Sequence, residues 1–410
     1  MTNEDALTGA PVSGEPEAYY RERATRFREE ATAAARPTTR VANLRLLCAV
    51  AALLLLAVAA FAKDPLLGIP VPFLVAAFVL LVVYHRRLRR RLLAARAIAA
   101  VNEEALHRMR REWDALPPAP AITAPDDHPY ARDLDIVGRA SLLHLLDTTT
   151  SPMGEARLAD WLLRPADPAV VPERQAAVVE LGRAIDVCQD LEAAGWATRA
   201  TEGPPPDPGP FARWAESASD EGPTVLRWCA LLSPTLLWVT LVLWGVRVLP
   251  IPLWPLFLLT NAALAIVLGG AAQRTVAAVR LQQGRIAPYG AQLSRFAARR
   301  WLTPLPQRLQ SAARPNGVSA EHRLRRLSRI VSFSVPTGSL LNGPIQLLFL
   351  WNVHLAWLAE RWRRRSGRHV PQWLDALGEV EALAALGSLA HREGGWTLPE
   401  IDPAATEVEA

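Results

Sequence analysis

The chain has 410 residues, half of them apolar, and a net charge of +5 at neutral pH, and of its 45 basic residues all but Lys63 are arginine. This length accommodates two or three domains and a sizeable core. A Walker-type phosphate loop, a kinase ATP lysine, a pyridoxal Schiff base and an aldolase-type amine each need a lysine in a polar site, and Lys63 lies between two apolar runs, so composition excludes them.

In chain order, residues 1–40 read as a polar, basic, disordered segment. Leu46 to Ala62 and Pro65 to Tyr84 are uncharged apolar runs separated by Lys63 and Asp64. Each is about 17 to 20 residues long, enough to cross a hydrocarbon core of about 30 Å. They predict a transmembrane hairpin over 41–91. Residues 92–127 read as a helix followed by the linker "PPAPAITAPDD", and 128–210 as the first part of a packed helical domain. A helix is expected from Pro172 to about Trp196, and "GPPPDPGP" from Gly203 to Pro210 is a breaker.

A second pair of apolar runs, Trp228 to Val246 and Val248 to Gly270, hinges at Arg247 and the Pro250/Pro252 turn. It predicts a second hairpin within 211–300, making four spans. One long helix is expected from Thr275 to about Ala313. Residues 301–401 hold further helices at Arg323 to Val331, Leu347 to Arg365 and Val370 to His391, and 402–410 is an acidic tail. No alternating pattern of useful length predicts a strand, so the fold class expected is all-α.

Arginines flank the apolar runs. Arg86, Arg87, Arg89, Arg90 and Arg91 follow the second run, and Arg21, Arg23, Arg26, Arg28, Arg36, Arg40 and Arg45 precede the first. By the positive-inside rule both termini face the cytoplasm of a multi-pass inner-membrane protein, and these arginines are topology anchors. The same run has the charge to bind anionic headgroups or nucleic-acid phosphates. The interiors of the spans lack Asp, Glu, Lys and Arg, which disfavours transport.

The stretch "DTTTSPMGEARLADWLLRP", Asp147 to Pro165, starts like a helix at Ser151 and Pro152 and stops at Pro165. Gly154 nevertheless sits in its first turn, where glycine costs about 1 kcal/mol relative to alanine. Together with "ERQAAVVEL" this stretch resembles the core domain of MutS-family DNA mismatch repair proteins. Thr150, Gly154, Arg157, Leu158, Trp161, Leu162, Pro165 and Arg174, then Ala177, Val178 and Leu181, occupy the matching positions. "WLDALGEVEALAALGSLAHREGGWTLPEI", Trp373 to Ile401, resembles the return of that domain. "LNGPIQLLFLWNVHLAWLAERWRRRSGRHV" is similar to the branch of the family with membrane spans.

The resemblance implies a multi-helical core and lever domain over about 128–401, with the second hairpin where the family carries its DNA clamp. It implies close packing of the short helix at Gly154, with Leu158, Trp161 and Leu162 on one buried face. The family's ATPase would follow Ile401; the chain holds no GxxxxGK[ST], so ATP and Mg are expected only on a downstream or partner polypeptide, and no cofactor in this chain.

Outside the spans, Arg361, Arg363, Arg364, Arg365 and Arg368, with His369, Trp357 and Trp362 nearby, have the composition for phosphate contact and base stacking. A basic helix end capped by Gly367 is the simpler account of them. Asp126, Asp127, His128, Asp133 and Asp135 match no metal spacing, and Cys48, Cys188 and Cys229 form no CxxC pair. Neither a HExxH nor a G-x-S-x-G setting is present. The expected function is that of a membrane-anchored scaffold rather than an enzyme, with lipid, a second copy or a partner ATPase as partners and no small-molecule substrate. The alternative is a DNA tether acting through its arginine clusters.

Overall fold

The structure, a computed structural model, describes residues 16–62, 69–203, 205, 207–217, 224–280, 286–335, 338–340 and 342–401. All regular elements among them are helical, as the periodicity predicts. They are α1 Pro16–Ala62, α2 Pro70–Met109, α3 Leu142–Leu146, α4 Pro152–Leu163, α5 Val171–Arg183, α6 Ile185–Glu202 and α7 Gly209–Glu216. There follow α8 Thr224–Gly245, α9 Trp254–Arg280, α10 Ile286–Ala298, α11 Pro304–Ala312, α12 Ala320–Ser332, α13 Asn342–Phe349, α14 Trp351–Ser366 and α15 Val370–Arg392. Four helices, α1, α2, α8 and α9, are long and apolar enough to cross a membrane. The chain divides into two compact units, one of 1–150, 161–201 and 383–410, the other of 151–160 and 202–382.

In the first unit α1 and α2 lie side by side in opposite directions. Their apolar halves are bare, with Leu53, Phe61, Phe73 and Leu80 each more than 60% exposed, whereas their charged halves pack. Ala31 meets Leu92 and Ala95, while Ala97, Ile98 and Val101 pack on Ala193 of α6. Arg28 donates to Glu103 at 2.5 Å and Arg110 to Glu17 at 2.6 Å. The disorder expected over residues 1–40 is therefore corrected from Pro16 onward. Tyr20, Ala24 and Ala31 supply a buried stripe at helical spacing, and Glu17 pairs with Arg21 one turn on. Residues 1–15, residues 63–68 with Lys63, and the acidic tail lie outside the described residues.

Three expected helices are interrupted. The Pro172–Trp196 stretch is split into α5 and α6 at Ala184, whose ψ of 40° is not helical; just before it Gly182 meets Gly387 of α15 so closely that an added Cβ would lie 3.2 Å from the Gly387 carbonyl oxygen. The Thr275–Ala313 stretch is α9, α10 and α11. The gap before α11 is closed by the buried Trp301, which stacks on Phe296 at 4.7 Å and donates to its carbonyl, and Pro304 starts the next helix. The Leu347–Arg365 stretch breaks at Leu350, which is left-handed with φ 49°. The second apolar hairpin also starts its return helix later than expected, at Trp254 rather than Val248, because Pro250 and Pro252 keep the intervening chain out of helix.

In the second unit α8, α9 and α14 share an apolar core of Ala230, Leu264, Ala272, Val276, Leu350 and Val353. A separate group joins α10 to α12. There an added Cβ on Gly290 would lie 2.8 Å from the Cα of Glu321, so the two backbones meet where only glycine fits.

Candidate functional site

The glycine-bearing stretch is a packing site. Ser151 is buried; its Oγ accepts the Gly154 N–H at 3.1 Å and closes the first turn of α4. Both its backbone N–H, at 3.1 Å, and its hydroxyl donate to the buried Glu381 of α15. The other oxygen of that carboxylate accepts from Gln292 of α10 at 3.1 Å. A carboxyl group thus sits at a helix N-terminus, where the free N–H groups of the first turn need acceptors. Gly154 is buried, but the close approach is made by Gly378 across from it: an added Cβ there would stand 2.8 Å from the carbonyl oxygen of Met153.

The other residues of the stretch separate. Leu158 is fully buried, but Trp161 and Leu162 are half-buried and Pro165 is exposed, which corrects the single buried face expected for all three apolar side chains. Trp161 is covered instead by the Arg174 guanidinium, 4.1 Å from its ring centre. Arg157 pairs with Asp375. Thr150 presses on Gly195 of α6, where an added Cβ would lie 1.9 Å from the threonine Oγ1.

The cluster at the end of α14 is also divided. Arg361, Arg364, Arg365 and Arg368 are exposed. Arg363 is buried, pairs with Glu360 at 2.5 Å, donates to Ser217 at 2.9 Å and to the Trp214 carbonyl, and stacks on the Trp214 ring. Trp362 is buried and donates to the Arg323 carbonyl at 2.7 Å. Arg363 and Trp362 are therefore corrected from phosphate and base contacts to structural residues: α7 folds over that side of α14. The helix α12, which packs on α14, carries two further exposed arginines, Arg325 and Arg326.

Arg86, Arg87, Arg89, Arg90 and Arg91 are all exposed on α2 directly after its apolar half. The antiparallel pairing brings Arg36, Arg40 and Arg45 of α1 to the same level, and neither helix carries an acid between Ala31 and Ala62 or between Pro70 and Asn102. The result is a two-helix arginine collar at the edge of the apolar part.

Below the collar, sequence reasoning missed a buried polar cluster in which α1, α2, α6 and α15 meet. Asn102 donates to Ile98 and accepts from Gln189 at 2.9 Å. Arg108, 3% exposed, donates to the Asp147 carbonyl at 2.6 Å and pairs with Glu104. Burial pushes the Glu192 carboxyl well above the usual range, an effect that the positive charges of Arg108 and Arg392 only partly offset, and pushes the Cys188 thiol up to about 12. Burial and the nearby Arg108 draw Arg392 down to about 10. The hydroxyl of the buried Tyr20 has no hydrogen-bond partner. Such a cluster can hold a proton on Glu192 at neutral pH. Its only trace in the sequence is that Asn102, Gln189 and Glu192 interrupt otherwise apolar helix faces.

A cleft of about 370 Å³ opens between α1, α2 and α6, walled by Arg28, Thr32, Arg96, Glu103 and Trp196. The Arg28–Glu103 pair occupies one side of it. His128, a metal candidate by type, instead tethers its loop, bonding the Leu163 carbonyl and the Ala131 N–H. No group of three or more His, Cys, Asp or Glu among the described residues could hold a metal ion. The molecule is thus a mostly helical, membrane-associated protein, and no family model, no curated protein and no solved structure matches it.

Proposed function

We propose that this chain is a membrane-anchored helical scaffold of the MutS-like type, with a core and lever, working at the cytoplasmic face of the inner membrane. The observation that carries the scaffold reading is the continuity of α1 and α2. Each runs without interruption from a bare apolar half, through the arginine collar, into a packed half that ends in the buried polar cluster. A folded unit is thereby fixed to its anchor by two continuous helices instead of a flexible tether. The MutS-like part is supported by the contact between the two resembling blocks, Ser151 on one and Glu381 on the other, 230 residues apart.

The scaffold works through a second copy or a partner ATPase. The purified full chain is therefore expected to hydrolyse no ATP, and light scattering in detergent across a concentration range should separate a dimer from a monomer awaiting a partner. ATP turnover that copurifies with the chain and follows its substitutions would overturn the reading. The exposed Arg361, Arg364, Arg365 and Arg368 favour a second reading, a DNA tether. Duplex binding should then fall steeply with salt, and no binding at low salt would end it.

A further inference from the structure

We infer that α13, the break at Leu350 and the first turns of α14 enter the bilayer as a re-entrant helix pair, seated on α8 and α9 and facing lipid hydrocarbon on their open side. The inference rests on reading α8 and α9 as spans. From Ile330 to Ala359 the chain carries no Asp, Glu, Lys or Arg, yet no single helix there is long enough to cross. Two hydrogen bonds give its depth along α9. Near the charged end of the span, Thr275 donates to Glu360 at 3.3 Å; far inside it, Asn261 donates to the Leu347 carbonyl at 3.0 Å. The separations in sequence are 85 and 86 residues, so α14 and the end of α13 follow α9 in one register across the break.

Asn261 lies 13 residues before Arg274, about 20 Å along a helix at 1.5 Å per residue, which is beyond the middle of a hydrocarbon core of about 30 Å. Phe349 confirms the level from the other helix of the hairpin, stacking on Trp238 of α8 with ring centres 5.6 Å apart. Irregular backbone at such a depth persists only where its polar groups are satisfied within the protein. Here side-chain amides do this. Asn261 takes the Leu347 carbonyl that the break leaves open, and the Gln346 side chain accepts the Asn352 N–H in the first turn of α14 at 3.0 Å. Asn342 accepts from Asn352 at 3.4 Å and so ties the start of α13 to the returning helix. The outer side carries Phe349, 41% exposed, a side chain suited to acyl chains.

The test is a depth measurement on the full chain with its three cysteines replaced by serine, in vesicles of phosphatidylcholine and phosphatidylglycerol. A nitroxide is placed by Phe349→Cys, with Leu259→Cys in α9 and Arg364→Cys as references. Collision with dissolved oxygen and with a water-soluble nickel chelate reports depth. The label at 349 is expected to match that at 259, high with oxygen and low with nickel. A label at 349 that behaves like that at 364, while 259 remains inaccessible to nickel, overturns the inference alone. Nickel access at 259 overturns the reading of α9 as a span as well. A Leu348→Cys label, on the adjacent residue of α13, repeats the measurement should the Phe349 variant fold poorly.

Discussion

Glu192 shows how burial outweighs pairing at the scale of a single residue. An ordinary glutamate titrates near 4.5, whereas burial, with Glu104 and Asp147 adding repulsion and Arg108 and Arg392 attraction, raises this one to about 8. Between those values the folded protein holds a proton that the unfolded chain has released. This contribution to stability is fully present below about 4.5, declines as pH rises and is gone above about 8. Melting of the detergent-solubilised protein across that window should show this slope, and Glu192→Gln should flatten it. An unchanged slope would remove Glu192 as its source. Glu381 is a buried side chain with both oxygens in use as acceptors. Glu381→Ala leaves the Ser151 N–H, its hydroxyl and the Gln292 amide without their acceptor. The expected cost is about 3 kcal/mol, with Glu381→Gln milder because it keeps one carbonyl acceptor. Equal melting temperatures for the two variants would contradict this account.

Among the elements, the α13–α14 junction sets two effects against each other. A left-handed leucine costs about 1 to 2 kcal/mol in backbone energy, so glycine at 350 would relieve strain. Leu350 is also fully buried in the core shared by α8, α9 and α14, and truncating such a side chain costs about 2 to 5 kcal/mol. Leu350→Gly is therefore expected to destabilise the protein on balance, lowering its melting temperature; a rise would mean that the backbone term dominates. Neither effect was visible in "LLFLWNVHLAWL", which reads as one helix because all its residues tolerate helix. The break appears only because α9 offers Asn261 to take the open carbonyl. The split of Thr275–Ala313 has a similar origin, since Trp301 leaves the helix to fill a hole against Phe296.

For the molecule as a whole, the positive-inside rule expects the collar to orient the first hairpin. Replacing Arg86, Arg87, Arg89, Arg90 and Arg91 together with glutamine removes five of the eight collar charges, the charges that the positive-inside rule expects to keep this end cytoplasmic. A topology reporter at the C-terminus, expected to read cytoplasmic in the native chain, should then read a mixed orientation. An unmixed cytoplasmic reading in the variant would assign orientation to the second hairpin. In either arrangement, the charged residues below the collar pair across the helices, as Arg28 does with Glu103 and Arg110 with Glu17. The arginines within it are exposed apart from the half-buried Arg45, and anions outside the protein would relieve their repulsion.

The sequence by itself determined the helical class, the apolar helices long enough to cross a membrane and the arginines at their edge, because these depend on local periodicity and on transfer of single side chains out of water. Ser151 was legible as a helix start and Leu158 as core for the same reason. Tertiary structure alone decided where the polar groups go. It assigned Arg363 to the interior, matched Ser151 with a carboxylate 230 residues away, gathered Arg108, Glu192 and Arg392 into one cluster, and broke α13 from α14. Each of these outcomes depends on whether a buried donor finds its acceptor, and that partner lies on a different helix, at a distance no local pattern records.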